Sequence, residues 1–239
     1  MNFCGRIVII IISSISILLC IDAKADDYSL ALEASKRKDF ITAFKLLKPL
    51  AEKGDIRAQG ELGVLLVSGK GSNQDIKQGM HWTIEAANKG LASAQYNLGT
   101  MYLDGQIVTQ NYNEAMKWLL AAAGQGVPAA QAGVAAMFYE GNGVPQNYTE
   151  AAKWMKIAAE NGDSEAQVNL GTMYSFGQGV DRDVMKGAMW TLIATESPTF
   201  SDDEKKSLET ISFKTLNPEE IITVKEMIKK CKNNGYKAC

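Results

Sequence analysis

GLASAQYNLGTMYLDGQIVTQNYNEAMKWLLAAAGQG, residues 90–126, carries two apolar stripes: Ala94, Leu98, Met101 and Tyr102 in its first half, and Tyr112, Ala115, Trp118, Leu119 and Ala122 in its second. Apolar residues recurring three and four apart mark the buried side of a helix, so the stretch reads as two helices. Asp104 and Gly105 stand between them, and Gly126 follows the second. A residue without a Cβ takes the positive φ that ends a helix at little cost.

The same pattern recurs on both sides. Gly54, Gly90, Gly126 and Gly162 are 36 residues apart, as are Trp82, Trp118, Trp154 and Trp190. Gln59, Gln95, Gln131 and Gln167 keep the interval, each beside an alanine. A period of this length marks stacked copies of one unit, each burying the face its neighbour exposes. The expected fold is all-α, a right-handed α-solenoid of stacked antiparallel helix pairs with a 36-residue repeat. Gly63, Gly99, Ala135 and Gly171 fall mid-helix, where glycine costs about 0.8–1.0 kcal/mol against alanine. Their recurrence predicts close backbone approach by the next helix.

The unit resembles the Sel-one-like repeat (SLR), a relative of the tetratricopeptide repeat. Ala94, Tyr96, Leu98, Gly99, Tyr102, Gly105, Tyr112, Ala115, Trp118, Ala122, Ala123 and Gly126 match its pattern, and Gly141, Gly143, Val144, Tyr148, Ala151, Trp154, Ala158, Ala159 and Gly162 match it again. Ala132 and Ala135 depart from it, standing where Tyr and Gly are usual. The resemblance implies a scaffold that binds a protein or peptide in envelope complex assembly, signalling regulation or host interaction. A cysteine-rich branch of that family has been linked with penicillin binding, which supplies the rival reading of a weak β-lactam or cell-wall-peptide hydrolase.

Residues 1–25 combine Arg6, an apolar run from Ile7 to Ile21 and Ala23-Lys24-Ala25, the pattern of a signal peptide cleaved after Ala25. The run falls short of the roughly 20 residues of a spanning helix, so a periplasmic or secreted location without membrane insertion is expected. Leu19 ahead of Cys20 argues against bacterial lipid attachment. Taking Arg6, Lys24 and Asp22 from the 25 basic and 27 acidic residues leaves a net charge of −3. That balance gives no basic field for nucleic acid. Residues 26–54 then read as a degenerate terminal repeat, 55–198 as four full repeats, and 199–239 as capping helices. Ser201 with Glu204 spells a capping box, and Pro218 stands at the first position of a further helix. Cys231 and Cys239 remain after cleavage, and a pair in an exported chain suggests a disulfide.

Nothing in the spacing spells a catalytic, metal or cofactor site. His81 is the only histidine, and its counterparts in register are Lys117 and Lys153, the mark of a solvated face. Ser35-Lys36-Arg37-Lys38 fits the S-x-x-K of penicillin-recognising serine enzymes, but no S-D-N or K-T-G accompanies it. The glycine pairs, such as Gly141 and Gly143, lack the preceding strand and Gly-Lys-Ser/Thr ending of a phosphate loop. The tryptophans read as repeating core.

Docking is therefore expected on the concave face lined by the first helices of each pair, at Asn97, Thr100, Asp104, Gly133, Ala136, Glu140, Asn169 and Thr172. The small side chains around Gly133 leave either a groove or a tighter helix contact.

Overall fold

The computed structural model describes residues 26–237 and Cys239. The signal-peptide reading of residues 1–25 lies outside the described residues. Among them are twelve helices and no strand, an all-α solenoid. The chain divides after Trp82 into two compact units.

The first unit holds α1 (Asp27–Lys36), α2 (Phe40–Glu52), α3 (Ile56–Ser68) and the start of α4 (Ile76–Asn88). Helix α2 packs on both α1 and α3, around Ala31, Ala34, Ala43, Leu47, Ala58 and Leu62, all essentially inaccessible. The second unit holds the rest of α4, then α5 (Ala92–Asp104), α6 (Tyr112–Gly124), α7 (Pro128–Glu140), α8 (Tyr148–Glu160), α9 (Ser164–Phe176) and α10 (Val184–Ala194). Two further helices, α11 (Asp202–Phe213) and α12 (Pro218–Asn233), follow. Here α5 pairs with α6, α7 with α8 and α9 with α10, while α11 and α12 both lie against α10.

The recurring residues each answer a need of the helix ends. First helices stop at Gly69, Gly105, Gly141 and Gly177, all left-handed with φ between 67° and 77°. Second helices start on the side chains of Asn111, Asn147 and Asp183, which accept from backbone N–H groups of the first turn. The buried glutamines explain themselves in the same terms. Gln59, Gln95, Gln131 and Gln167 donate through Nε2 to the carbonyls of Ala51, Ala87, Ala123 and Ala159 at 3.1–3.2 Å. Each thus gives a second donor to a terminal carbonyl of the preceding helix that already accepts from the N–H of Gly54, Gly90, Gly126 or Gly162. Two of them are held in turn from the end of the second helix of their own repeat: Gln125 donates to Gln95 Oε1 and Asn161 to Gln131 Oε1.

The tryptophans differ in burial. Trp190 is fully buried and Trp118 is 9% exposed, whereas Trp82 and Trp154 are half-buried. Trp118 reaches the surface with its indole N–H, which donates to Glu114 at 3.0 Å. The indole body fills core while its polar tip finds a partner, as amphipathic aromatic rings prefer.

Both expected caps are present: Ser201 and Glu204 form a capping box, and Asn217 with Glu220 forms another ahead of Pro218. A disulfide joins Cys231, in the last turn of α12, to Cys239. It therefore ties the end of α12 to the segment after it. Constraining so short a loop in the unfolded chain stabilises by about 2–3 kcal/mol. Cys239→Ser is expected to lower stability by that amount in urea melts, and dithiothreitol should reproduce the loss in the native protein only.

Candidate functional site

The first helices α5, α7 and α9 present the expected docking residues. Asn97 and Thr100 are half-buried and Asp104 is exposed on α5; Gly133 and Ala136 are half-buried and Glu140 is exposed on α7; Asn169 and Thr172 are exposed on α9. Helices α5 and α7 also touch directly, so first helix meets first helix along this layer. Thr100 donates to the Asn97 carbonyl at 2.9 Å and Thr172 to that of Val168 at 3.1 Å. Both hydroxyl protons are thereby committed to their own helix, leaving lone pairs for a partner's donors.

The supposed gap at Gly133 is filled from behind. A Cβ there would stand 3.3 Å from one Leu119 methyl and 3.4 Å from the other, and Leu119 is fully buried. The small residues of α7 therefore admit α6.

From α5 to α9, charge divides between first and second helices. Helices α5, α7 and α9 contain no Lys, Arg or His. Their carboxylates Asp104, Glu140 and Glu165 enter no ion pair among the described residues, while on α6 and α8 Lys117 pairs with Glu114, Lys153 with Glu150 and Lys156 with Glu160. Tyr96 on α5 senses the imbalance. Burial, then the charges of Asp163, Asp104 and Glu165, push its hydroxyl above the usual tyrosine range.

The five stretches 28–55, 56–91, 92–127, 128–163 and 164–197 match the family model described as Sel1 repeat. The chain belongs to the Sel1 repeat family. Among solved structures it is similar to a Sel1 repeat protein from Oxalobacter formigenes, with 27% identity, a TM-score of 0.72 and 86% of each chain covered. It also resembles c5321, a protective antigen of uropathogenic Escherichia coli strains with an SLR fold, at 23% identity and a TM-score of 0.53. That match covers 88% of this chain and 54% of the other. A Sel1 repeat protein from Klebsiella pneumoniae subsp. pneumoniae matches at 19% identity and a TM-score of 0.53, over 76% and 91% of the two chains. No curated protein matches.

The S-x-x-K residues of this Sel1 chain sit in a helix-ending turn. Lys38 follows α1 with φ 62°, its N–H donating to the Ser35 carbonyl at 2.9 Å, and its side chain is exposed. A nucleophile needs its base within hydrogen-bond reach, and no hydrogen bond joins the two side chains among the described residues. His81 is exposed, its ring 5.1 Å from that of Trp82.

Two features escaped the sequence reading. One is Arg182, which occupies the register of Gln74, Gln110 and Gln146. The other is a cleft beside it, lined in part by Phe176 and Ile211. The break in the glutamine series was visible at the fixed interval; the cleft was not, because it depends on where α11 lies.

Proposed function

We propose that this Sel1 chain is an exported, non-enzymatic scaffold that docks a protein or peptide on the concave face lined by α5, α7 and α9. What carries the reading is the unneutralised face itself. A surface meant only for water mixes both signs, and here α6 and α8 do so while α5, α7 and α9 keep carboxylates without cations. Asp104 and Glu140, exposed at successive helix ends, favour Lys or Arg on the partner strip that crosses α5 and α7. The export reading rests on the Arg6-to-Ala25 pattern and accords with the disulfide.

The test is affinity purification of the tagged protein from its native envelope, beside an Asp104→Lys/Glu140→Lys variant. Wild type should retain a partner that dissociates as salt is raised, since exposed charges are screened. The variant should retain at least about tenfold less, the equivalent of one charge-assisted contact. Equal recovery by both proteins overturns the reading. The hydrolase rival is read separately: nitrocefin turnover by wild type that vanishes in Ser35→Ala would replace scaffold by enzyme.

A further inference from the structure

The last repeat differs from the others in one side chain and one missing cover, and the two differences coincide. Gln74, Gln110 and Gln146 each donate through Nε2 to a first-helix carbonyl seven residues back, those of Val67, Leu103 and Tyr139, at 2.8 Å. Arg182 makes the same bond through Nε, to the Ser175 carbonyl at 3.0 Å. A guanidinium has five N–H donors in a fixed fork. The structural bond uses one of them, and the two terminal nitrogens enter no ion pair or hydrogen bond among the described residues. The substitution keeps the clamp and adds a bidentate cation that the fold does not use.

That cation lines a cleft of about 290 Å³ between α9, α10 and α11. Where a further first helix would cover α9, the α11 helix does so poorly: Ser212 is its one buried residue. Phe176 is left 72% exposed on one side and Ile211 67% on the other. Thr172 and Thr191 lie in the walls with Leu208, and the walls hold Arg182 and no carboxylate. Thr172 also belongs to the docking face, so the cleft continues it. The sign of the face reverses there, from Asp104 and Glu140 to Arg182.

We infer that this cleft seats an amphipathic helix of the partner protein, with an apolar side chain between Phe176 and Ile211 and a Glu or Asp carboxylate, one turn away, on the Arg182 fork. The apolar walls fit the i, i+4 anchors of a helix laid in a groove. The unused fork matches a carboxylate bidentately, and such pairs are roughly twice as strong as neutral hydrogen bonds. A basic side chain in that place would leave Arg182 facing a like charge. The inference rests on the scaffold reading for the identity of the partner as protein, but it has its own site and its own measurement.

Fluorescence anisotropy decides it, with a fluorescein-labelled helical peptide bearing two leucines at i and i+4 and a glutamate one turn to either side. Controls replace both glutamates by lysine, or both leucines by alanine. Wild type should bind the glutamate–leucine peptide at least about tenfold more tightly than either control. Arg182→Gln, which restores the residue that clamps the other repeats, should abolish the preference for glutamate over lysine with an unchanged melting curve. Ile211→Asp, at an exposed position, should weaken all leucine peptides. No saturable binding by wild type, equal affinity for the glutamate and lysine peptides, or unaltered affinity in either variant would overturn the inference. The Asp104→Lys/Glu140→Lys protein should bind the probe as wild type does. Loss of envelope capture with probe binding intact therefore separates failure at one site from failure at the other.

Discussion

Trp190→Ala is expected to cost about 3–5 kcal/mol, while Trp190→Phe should leave stability within about 1 kcal/mol of wild type. The asymmetry follows from one atom. Trp190 on α10 is fully buried, and its Nε1 is the buried side-chain polar atom without a hydrogen-bond partner among the described residues. Trp118 avoids this by donating to Glu114, four residues earlier. Four residues before Trp190 stands Lys186, which has no acceptor to offer and lies over the Tyr174 ring at 5.4 Å. An unpaired buried N–H costs about 1–3 kcal/mol, so replacing indole by benzene removes that cost while giving up a modest volume of packing. Alanine removes the same N–H but leaves a cavity that the packed core around Met189, Val224 and Met227 closes incompletely. Urea unfolding of the two variants measures the difference. Equal destabilisation by Phe and Ala would mean that the N–H has found a partner in solution or that packing alone sets the cost.

The register shows why some of this was legible from the residues and some was not. Gln78, Glu114, Glu150 and Lys186 stand 36 apart, each four before a tryptophan, so the loss of an acceptor ahead of Trp190 is written in the chain. The helix pairs, the glycine stops and the buried glutamines were equally plain, because each is a local requirement repeated at every copy. How far the tryptophans are covered is not local. It depends on which neighbour supplies the lid, and the core cluster that holds Trp190 takes in Val224 and Met227 of α12, which lies outside the repeat pattern. The residues proposed for docking were chosen by the same register, and of them Asp104 and Glu140 are exposed at the ends of α5 and α7. The register could not foresee that Leu119 would stand behind Gly133, since whether small residues leave a gap or draw a helix in depends on the side chain opposite.

Gly171→Val is expected to destabilise by about 3 kcal/mol or more, at the upper end for overpacking a core. Gly171 on α9 and Gly187 on α10 face each other where the two helices cross. A Cβ at Gly171 would lie 2.7 Å from the Gly187 carbonyl oxygen and collide with the Thr191 hydroxyl; one at Gly187 would lie 2.8 Å from the Gly171 oxygen and collide with that of Ser175. Those hydroxyls fold back onto the same carbonyls, Ser175 donating to Gly171 at 2.9 Å and Thr191 to Gly187 at 3.0 Å. The obstacle on each side is therefore backbone, which yields only if the helices separate. Neither glycine has positive φ, so the penalty measures proximity alone and not backbone strain. Gly124→Ala on α6 is the matched control: its Cβ meets nothing within 4 Å, and alanine should stabilise by about 0.5 kcal/mol through helix propensity. Because repeat stability is carried by nearest-neighbour contacts, the loss in Gly171→Val should appear first as faster amide exchange in α9 and α10. Exchange that accelerates equally in α5 and α6 would instead assign the second unit a single cooperative core, in which the α9–α10 crossing carries no stability separable from the rest.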